Sequence, residues 1–246
     1  MARLGPAEYN SAVRAAFEAG PMARFSATTK DGVLAASRRL DLPSKAYLRR
    51  PGEPERMGVV VRGLVRVMHI TDEGHELTVK WAHTGALVNA LSLSAPLDQR
   101  LYIHAVTDVV WCDIDVGNAR RLLQRDAQTA WIALALAEQQ MRDDIDEITL
   151  FAFGDLRTRV RRKLLEIACQ APDASLVAPV TQDELASGVA AARPSVARVL
   201  GELRRAGAIK ATRAGIEILK PQALVRGGKR ATAAQRLSPP SQHAPL

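Results

Sequence analysis

Polar side chains that can read DNA lie at helical spacing near the end of the chain. Ser195, Arg198, Glu202 and Arg205 recur at steps of three and four residues, just after Arg193. The opposite face of such a helix is apolar: Val196, Val199, Leu200 and Leu203. Arginine can donate paired hydrogen bonds to O6 and N7 of a guanine in the major groove. The pattern therefore predicts a helix that recognises DNA.

A helix-turn-helix motif is predicted to position these side chains. Thr181 and Glu184 have the spacing of a capping box, which predicts a first helix over 182–189. Residues 190–192 form a short turn. Pro194 then falls in the first turn of the second helix, where its missing N–H costs little. Two short helices, a tight turn and a basic second helix are typical of DNA-binding proteins.

A hairpin is predicted to follow the motif over Ala208–Leu219, with its turn near Arg213-Ala214-Gly215, and would form a wing. An ordinary helical hairpin with a solvated basic face is the alternative interpretation. The residues predicted to contact DNA are Thr181, Gln182, Arg193, Ser195, Val196, Arg198 and Arg205.

The positive charge is concentrated in the C-terminal part of this 246-residue chain. Residues 1–150 carry 18 Lys or Arg and 19 Asp or Glu, a net charge of −1. Residues 151–246 carry 16 Lys or Arg and 7 Asp or Glu, a net charge of +9. Such asymmetry indicates an anionic partner, most often nucleic acid. A soluble basic domain with a basic tail is the alternative.

Short β-rich segments dominate between residues 39 and 115, after a predicted helix over 8–20. Glycine-containing turns such as Arg62-Gly63 separate them. The pattern predicts a compact antiparallel barrel or sandwich rather than a Rossmann unit. The clearest predicted strands are Gly58–Val61, Leu64–Thr71, Glu76–Ala82 and Tyr102–Asp115.

A long helix is predicted over 118–150. Apolar residues recur there at alternating steps of four and three, the spacing of a coiled-coil seam, and one seam position is the charged Glu138. Ile132 and Leu136 form a second apolar face that can pack on the β-region. Two apolar faces favour a subunit partner, and a helix packed only on its own barrel is the alternative. The predicted dimer seam consists of Ala127, Trp131, Leu134, Glu138, Met141, Ile145 and Ile148.

Phe153-Gly154-Asp155 interrupts this pattern, because glycine weakens a helix and Asp155 is a good N-cap for a new one. We place a domain boundary there. The new helix is predicted to carry an outward basic face: Arg157, Arg159, Arg161, Arg162 and Lys163.

Two segments carry a resemblance to a known family. VTQDELASGVAAARPSVARVLGELRRAGAI resembles the helix-turn-helix of the cyclic-AMP receptor protein/FNR family of bacterial transcription regulators. GVVVRGLVRVMHITDEGHELTVKWAHTGALV resembles the β-roll of that family. Arg193 and Arg198 match the family's recognition-helix arginines. Pro194 stands where several members have a base-reading glutamate, and Ala190 stands where a turn glycine is common.

The resemblance covers residues 20–222 and implies an α+β fold in three parts. Residues 1–117 would hold an N-terminal helix and an antiparallel β-roll of the cyclic-nucleotide-binding, jelly-roll type. Residues 118–152 would form a long dimerisation helix, and residues 153–225 a winged helix-turn-helix domain. The composition of residues 226–246 predicts a disordered basic tail.

The resemblance also indicates where a cyclic nucleotide would bind, but the match is incomplete. Asn89-Ala90-Leu91 replaces a Gly-Glu-Leu segment, so the ribose-binding carboxylate is absent. Arg100, or Gln99 in a second alignment, takes the place of the phosphate-binding arginine. We expect a different small molecule or no effector. The candidate effector pocket consists of Gly85, Asn89, Ala90, Leu91, Gln99 and Arg100.

Other cofactors and an enzymatic function are less favoured. Haem is an alternative, with axial ligands drawn from His69, His75, His83, His104 and Cys112. The two cysteines are too few for a four-cysteine iron–sulfur cluster. A cupin-like metal enzyme is the remaining alternative, but His75-Glu76 lacks the His-x-His spacing of such sites. We therefore expect no metal site and no enzyme.

The start of the chain lacks the apolar segment of a signal peptide, and no apolar run is long enough to span a membrane. The sequence therefore predicts a cytoplasmic homodimer that binds a pseudo-palindromic site in double-stranded DNA. RNA polymerase would be a further partner if the protein is an activator.

Overall fold

The structure is a computed structural model that describes residues 5–54, 56–94, 100–171 and 173–225. The chain divides into two compact units between Thr149 and Leu150. The tail predicted over 226–246 lies outside the described residues.

The N-terminal unit begins with helix α1, Pro6–Ala19, a short 3-10 helix, Pro21–Arg24, and helix α2, Ala27–Ala35. Eight strands follow: β1 Arg38–Leu42, β2 Tyr47–Arg49, β3 Met57–Arg62, β4 Val65–Ile70, β5 Glu76–Ala82, β6 Leu87–Val88, β7 Leu101–Ala105 and β8 Val109–Ile114. They form two antiparallel sheets in the orders β1-β8-β3-β6 and β2-β7-β4-β5. The predicted antiparallel β-roll is confirmed.

Two layers of core hold this unit together. Between the sheets, Val60, Val65, Ile103 and Trp111 pack in one buried cluster. Behind β3 and β8, the apolar sides of the strands pack against α1 residues such as Phe17. The β-roll is therefore covered by helices on one side, and apolar burial on both faces of β3 and β8 makes that sheet the centre of the unit.

The prediction of one strand over Tyr102–Asp115 is wrong. The chain leaves the β2-β7-β4-β5 sheet after Ala105 and enters the β1-β8-β3-β6 sheet at Val109. The crossing is anchored by the backbone of Leu64, whose N–H donates to Thr107 Oγ1 at 2.9 Å and whose carbonyl accepts from the Val106 N–H at 2.9 Å. These contacts come from a distant part of the chain, so local apolar composition could not indicate the crossing.

The prediction of one helix over 118–150 is also wrong, because two helices meet at Asp126. Helix α3 spans Val116–Arg125 and helix α4 spans Ala127–Phe153. Asp126 caps α4 by accepting hydrogen bonds from the Thr129 N–H at 3.0 Å and the Thr129 hydroxyl at 2.6 Å. The hydroxyls of Ser26 and Thr29 donate to the same carboxylate, at 2.5 and 2.8 Å. These bonds hold the pKa of Asp126 well below its usual range.

Helix α4 has the two predicted apolar faces. Ile132 and Leu136 pack against the cluster between the sheet and the N-terminal helices. The other face is exposed within this chain: Trp131 is 73% accessible and Met141 58%. Glu138, in the middle of this face, accepts from Arg142 Nε at 2.7 Å. The seam is thus a row of apolar side chains with one charged position.

The C-terminal unit contains helices α5 Leu156–Ile167, α6 Gln182–Gly188, α7 Arg193–Arg205 and α8 Pro221–Val225. Its strands are β9 Cys169–Gln170, β10 Leu176–Ala178, β11 Ile209–Thr212 and β12 Gly215–Ile218, in the sheet order β11-β12-β10-β9. Asp155 caps α5 by accepting from the Thr158 N–H at 2.7 Å, which lowers the pKa of Asp155. The predicted winged helix-turn-helix is confirmed.

One residue of the predicted basic face on α5 is misplaced. Lys163 is buried, with 5% of its surface accessible, and its Nζ donates to Glu166 at 2.8 Å. The lysine lies three residues after Val160 on the buried side of the helix. Arg157 and Arg162 are exposed, so the basic face is narrower than its sequence suggests.

Candidate DNA-binding surface and effector region

The first helix of the motif starts at a reciprocal cap. The Thr181 hydroxyl accepts from the Glu184 N–H at 3.2 Å, and the Glu184 carboxylate accepts from the Thr181 N–H at 2.8 Å. Leu185 and Val189 are fully buried beneath it. The capping box predicted from the sequence is confirmed.

The turn between the two helices has a left-handed residue. Ala190 has a φ of 48°, a conformation that glycine adopts at lower cost. This backbone requirement explains why a turn glycine would suit the position. The Ala191 N–H then donates to the Ala186 carbonyl at 3.1 Å, which closes the turn against α6.

Pro194 lies in the first turn of α7, as predicted. Arg193 is the first residue of the helix, and Ala192 is its N-cap. The N–H groups of Ser195 and Val196 donate to the Ala192 carbonyl at 3.0 and 3.2 Å. Proline at this position removes an N–H that has no acceptor within the helix, so it fits the helix start.

Most predicted DNA-contacting residues lie at the surface. Thr181, Arg193, Arg198 and Arg205 are exposed, and Gln182 and Ser195 are partly exposed: all belong to α6, α7 or the cap before α6. Val196 is the exception, because none of its surface is accessible. Its side chain packs in the core below α7, and its assignment as a DNA-contacting side chain is therefore corrected.

The basic side chains of α7 differ in how they are engaged. Arg193 Nη1 lies 3.3 Å from Asp183 Oδ2 on α6. Arg205 Nε donates to the Gly201 carbonyl at 3.4 Å. Glu202 accepts from Arg157 of α5. Within the described part of the chain, Arg198 makes no ion pair or side-chain hydrogen bond. Its guanidinium is available to a ligand.

The wing adds basic residues that the sequence reasoning did not assign to DNA. Strands β11 and β12 pair in register from Ile209↔Ile218 to Thr212↔Gly215. Lys210 on β11 and Arg213 at the tip are exposed. The signal in the sequence is that both cations lie between Ile209 and Ile216, whose side chains are buried.

In the N-terminal unit, the predicted effector residues form a loop whose side chains have structural roles. Asn89 has a φ of 64°, and its Nδ2 donates to the Arg56 carbonyl at 2.9 Å. Gly85 has a φ of 88°, and a Cβ there would lie 3.0 Å from the Ala16 carbonyl of α1. Both residues hold the loop against its own unit.

The remaining effector candidates are Ala90, Leu91, Gln99 and Arg100. Ala90 and Leu91 begin a 3-10 helix, Ala90–Leu93, and Leu91 is 50% accessible. Arg100 is exposed, and Gln99 lies outside the described residues. Among the effector candidates that the structure describes, Arg100 alone has a charged side chain.

Two of the side chains considered as haem ligands, His104 and Cys112, are buried. His104 is buried, and its Nδ1 accepts from Arg66 Nε at 3.3 Å. Burial raises the pKa of the Cys112 thiol, which disfavours the thiolate that would bind a metal. Across residues 5–225, omitting the undescribed positions, no three His, Cys, Asp or Glu side chains are grouped as metal ligands. None of the described helices is long and apolar enough to cross a membrane.

A β-roll, a long helix with an exposed apolar face and a winged helix-turn-helix define a DNA-binding regulator fold. Two family models match the chain: a cyclic nucleotide-binding domain over residues 39–126 and a Crp-like helix-turn-helix domain over residues 158–226.

Known transcription regulators are similar to this protein over most of the chain. Transcriptional regulator SdrP of Thermus thermophilus is 30% identical over 174 residues, which are 69% of this chain and 82% of SdrP. The cAMP-activated global transcriptional regulator Vfr of Pseudomonas aeruginosa is 24% identical over 73% of this chain and 88% of Vfr. The chain belongs to the CRP/FNR family of transcription regulators and carries their helix-turn-helix DNA-binding domain.

Two solved structures have a similar fold. TTHA1359, a CRP/FNR-family regulator from Thermus thermophilus, is 26% identical with a TM-score of 0.59, covering 77% of this chain and 97% of that protein. FixK2 from Bradyrhizobium japonicum shares the fold, with 19% identity and a TM-score of 0.68 over 80% of this chain and 99% of FixK2.

Proposed function

We propose that the protein acts as a homodimer whose two recognition helices bind the half-sites of a pseudo-palindromic DNA sequence. The observation that carries this proposal is helix α7, where buried Val199 and Leu203 fix the inner face and the exposed Arg198 pairs with no other residue that the structure describes. A rigid helix that presents a free guanidinium is suited to reading a guanine edge.

Base contacts are assigned to the first part of α7, and phosphate contacts to its surroundings. Arg193 and Arg198 would contact base edges, with Ser195 beside them. Thr181, Gln182 and Arg205 would contact the backbone, together with Lys210 and Arg213 of the wing: all but Gln182 are exposed. Phosphate contacts of this kind set orientation and affinity, whereas base contacts set specificity.

Dimerisation is assigned to the exposed face of α4. Five large apolar side chains are more than half exposed on this helix within Trp131–Ile148, which is unfavourable unless they are covered. Pairing with a second copy through the seam removes them from water. Glu138 would be tolerated there because Arg142 neutralises it from within the same helix.

Cyclic AMP is not the proposed effector. Ala90 offers no carboxylate for a ribose, and Asn89 is engaged by the Arg56 carbonyl. A regulator of the same family that senses haem or another ligand remains the second candidate. The metal-enzyme interpretation has no support, since the relatives are described as transcription regulators. We place the protein's action in the cytoplasm, with RNA polymerase as a partner if it activates transcription.

Selection of genomic DNA fragments by the purified full-length protein tests the proposal. The expected result is enrichment of an inverted repeat whose half-sites lie about one helical turn apart. Enrichment of a single asymmetric half-site would contradict the dimeric arrangement. Binding to all fragments alike would contradict sequence-specific recognition.

A further inference from the structure

A cleft in the N-terminal unit opens beside β1 and β2, which are edge strands of the two sheets. Its volume is about 460 Å³, within the roughly 300–1,000 Å³ of typical small-molecule sites. The lining residues all lie between Arg39 and Arg56. None of them belongs to the Gly85–Leu91 segment, to which family resemblance assigns a nucleotide, although Asn89 of that segment donates to the Arg56 carbonyl.

The cleft has apolar walls. Leu40 and Leu42 of β1 pack against the core between the sheets, and Leu48 of β2 is buried within that core. Tyr47 adds an aromatic ring at the rim, with the Arg50 guanidinium 4.5 Å from its centroid. An apolar group of modest size would cover the accessible parts of Leu40, Leu42 and Tyr47, which are half-buried.

The polar side of the cleft carries two arginine side chains, Arg39 and Arg56. Arg56 Nη1 donates to Asp113 Oδ2 at 2.9 Å, and Arg38 Nη2 donates to the same oxygen at 3.2 Å. Arg39 Nε donates to Asp41 Oδ1 at 2.8 Å. The Asp113 carboxylate, which lies outside the lining of the cleft, is therefore shared by two guanidinium groups.

Arg56 is the lining arginine best placed to bind a further anion, because it shares its carboxylate partner with Arg38. Its side chain is 34% accessible and lines the cleft. A guanidinium has five N–H donors in a planar fork that matches a carboxylate, and Arg56 donates through Nη1 to Asp113. Several donors of a partly desolvated cation therefore remain for a ligand.

We propose that this cleft binds a small organic anion with one carboxylate and an apolar body. The carboxylate pairs with Arg56, and the apolar body lies against Leu40, Leu42 and Leu48. A single guanidinium that already shares one carboxylate suits a monoanion better than a multiply charged phosphate. The proposal does not depend on DNA binding, and its test contains no DNA.

Isothermal titration of the full-length protein with octanoate is the test, and octanol, with the same chain length and no charge, is the matched probe. We expect saturable binding of octanoate at one site per chain and no saturable binding of octanol. Arg56→Gln should weaken octanoate binding about tenfold or more, as expected for losing one charge-assisted pair. Arg14→Gln, at an exposed arginine of α1 paired with Asp31, serves as the control and should bind normally.

Backbone amide shifts in NMR spectra locate the site without relying on a variant that must fold. Octanoate should shift the amides of residues 39–56. The proposal is overturned if octanoate does not saturate, if octanol binds equally well, if folded Arg56→Gln retains full affinity, or if the shifts cluster outside the cleft.

Discussion

Helix α7 and the Gly85–Leu91 loop both present side chains from a rigid scaffold, one in each unit, yet they present different chemistry. Helix α7 keeps its arginines exposed above a fully buried inner face. The loop uses Asn89 and Gly85 to hold its own backbone, and Ala90 has no polar side chain. Helix α7 thus presents exposed cations, whereas the Gly85–Leu91 segment has no charged side chain, so we expect DNA binding and no binding of a cyclic nucleotide.

The seam of α4 gives the largest expected effect. Leu134→Asp with Met141→Asp places two carboxylates in the apolar row, and burying them without partners would cost several kcal/mol. We expect monomers in analytical ultracentrifugation and loss of specific DNA binding. Gln128→Asp with Gln139→Asp, at exposed positions beside the seam, should leave the dimer intact. A dimer that persists in the first variant would exclude this face.

Arg198→Ala tests whether helix α7 reads a base. It removes the guanidinium, which has no partner among the described residues, and should weaken binding to the selected site by about 1–3 kcal/mol in fluorescence anisotropy. Binding to scrambled DNA should change much less. Arg204→Ala, at an exposed residue of the same helix, removes equal charge and should preserve discrimination. If Arg198→Ala discriminates as well as the unmodified protein, Arg198 does not read a base.

Asp126→Asn tests whether α2 and the start of α4 are joined through one carboxylate. The pKa of Asp126 is lowered by hydroxyls of Ser26, Thr129 and Thr29 and by the Thr129 N–H, whereas an unfolded aspartate titrates near about 3.9. Its stabilisation is therefore present above about pH 4 and is lost as the pH falls toward the folded pKa.

We expect Asp126→Asn to lower the thermal midpoint at neutral pH and to flatten its decline below about pH 4. Tryptophan fluorescence reports this unit, because all three tryptophans lie before residue 132. Asp146→Asn, at an exposed position on the same helix, is the control. An unchanged acid limb in the Asp126 variant would remove the carboxylate from this role.

Ala190→Gly gives the smallest expected effect. Glycine relieves the left-handed strain at a φ of 48° and should stabilise the motif by up to about 1 kcal/mol. Slower hydrogen exchange in α6 and α7 would report it. Ala197→Gly, inside α7, should have the opposite sign by about 1 kcal/mol. Faster exchange in both variants would show that the turn is not strained.

The sequence predicted the features that depend on neighbouring residues. The Thr181–Glu184 cap, the position of Pro194 and the two apolar faces of α4 follow from local spacing, and all three are confirmed. Features set by distant contacts were missed. The helix break at Asp126 depends on Ser26 and Thr29, about a hundred positions earlier, and the strand crossing near Val106 depends on Leu64.

For single residues, whether charged or in a candidate site, burial is the property that the sequence predicts least well. Lys163 was expected at the surface and is buried beside Glu166, since an (i, i+3) pair neutralises it. Val196 alternates with exposed arginines, and only the packed helix shows that none of its surface is accessible. The seam and the DNA-contacting side chains remain predictions that the experiments above address.

In the proposed dimer, two copies of the protein hold two recognition helices at a fixed spacing. The most direct measurement is the affinity for the selected inverted repeat, compared with the same DNA carrying about five extra base pairs between its half-sites. This insertion turns one half-site to the opposite face of the duplex. We expect the affinity for this DNA to fall to nearly that for scrambled DNA. An unchanged affinity would contradict the fixed spacing of the two helices.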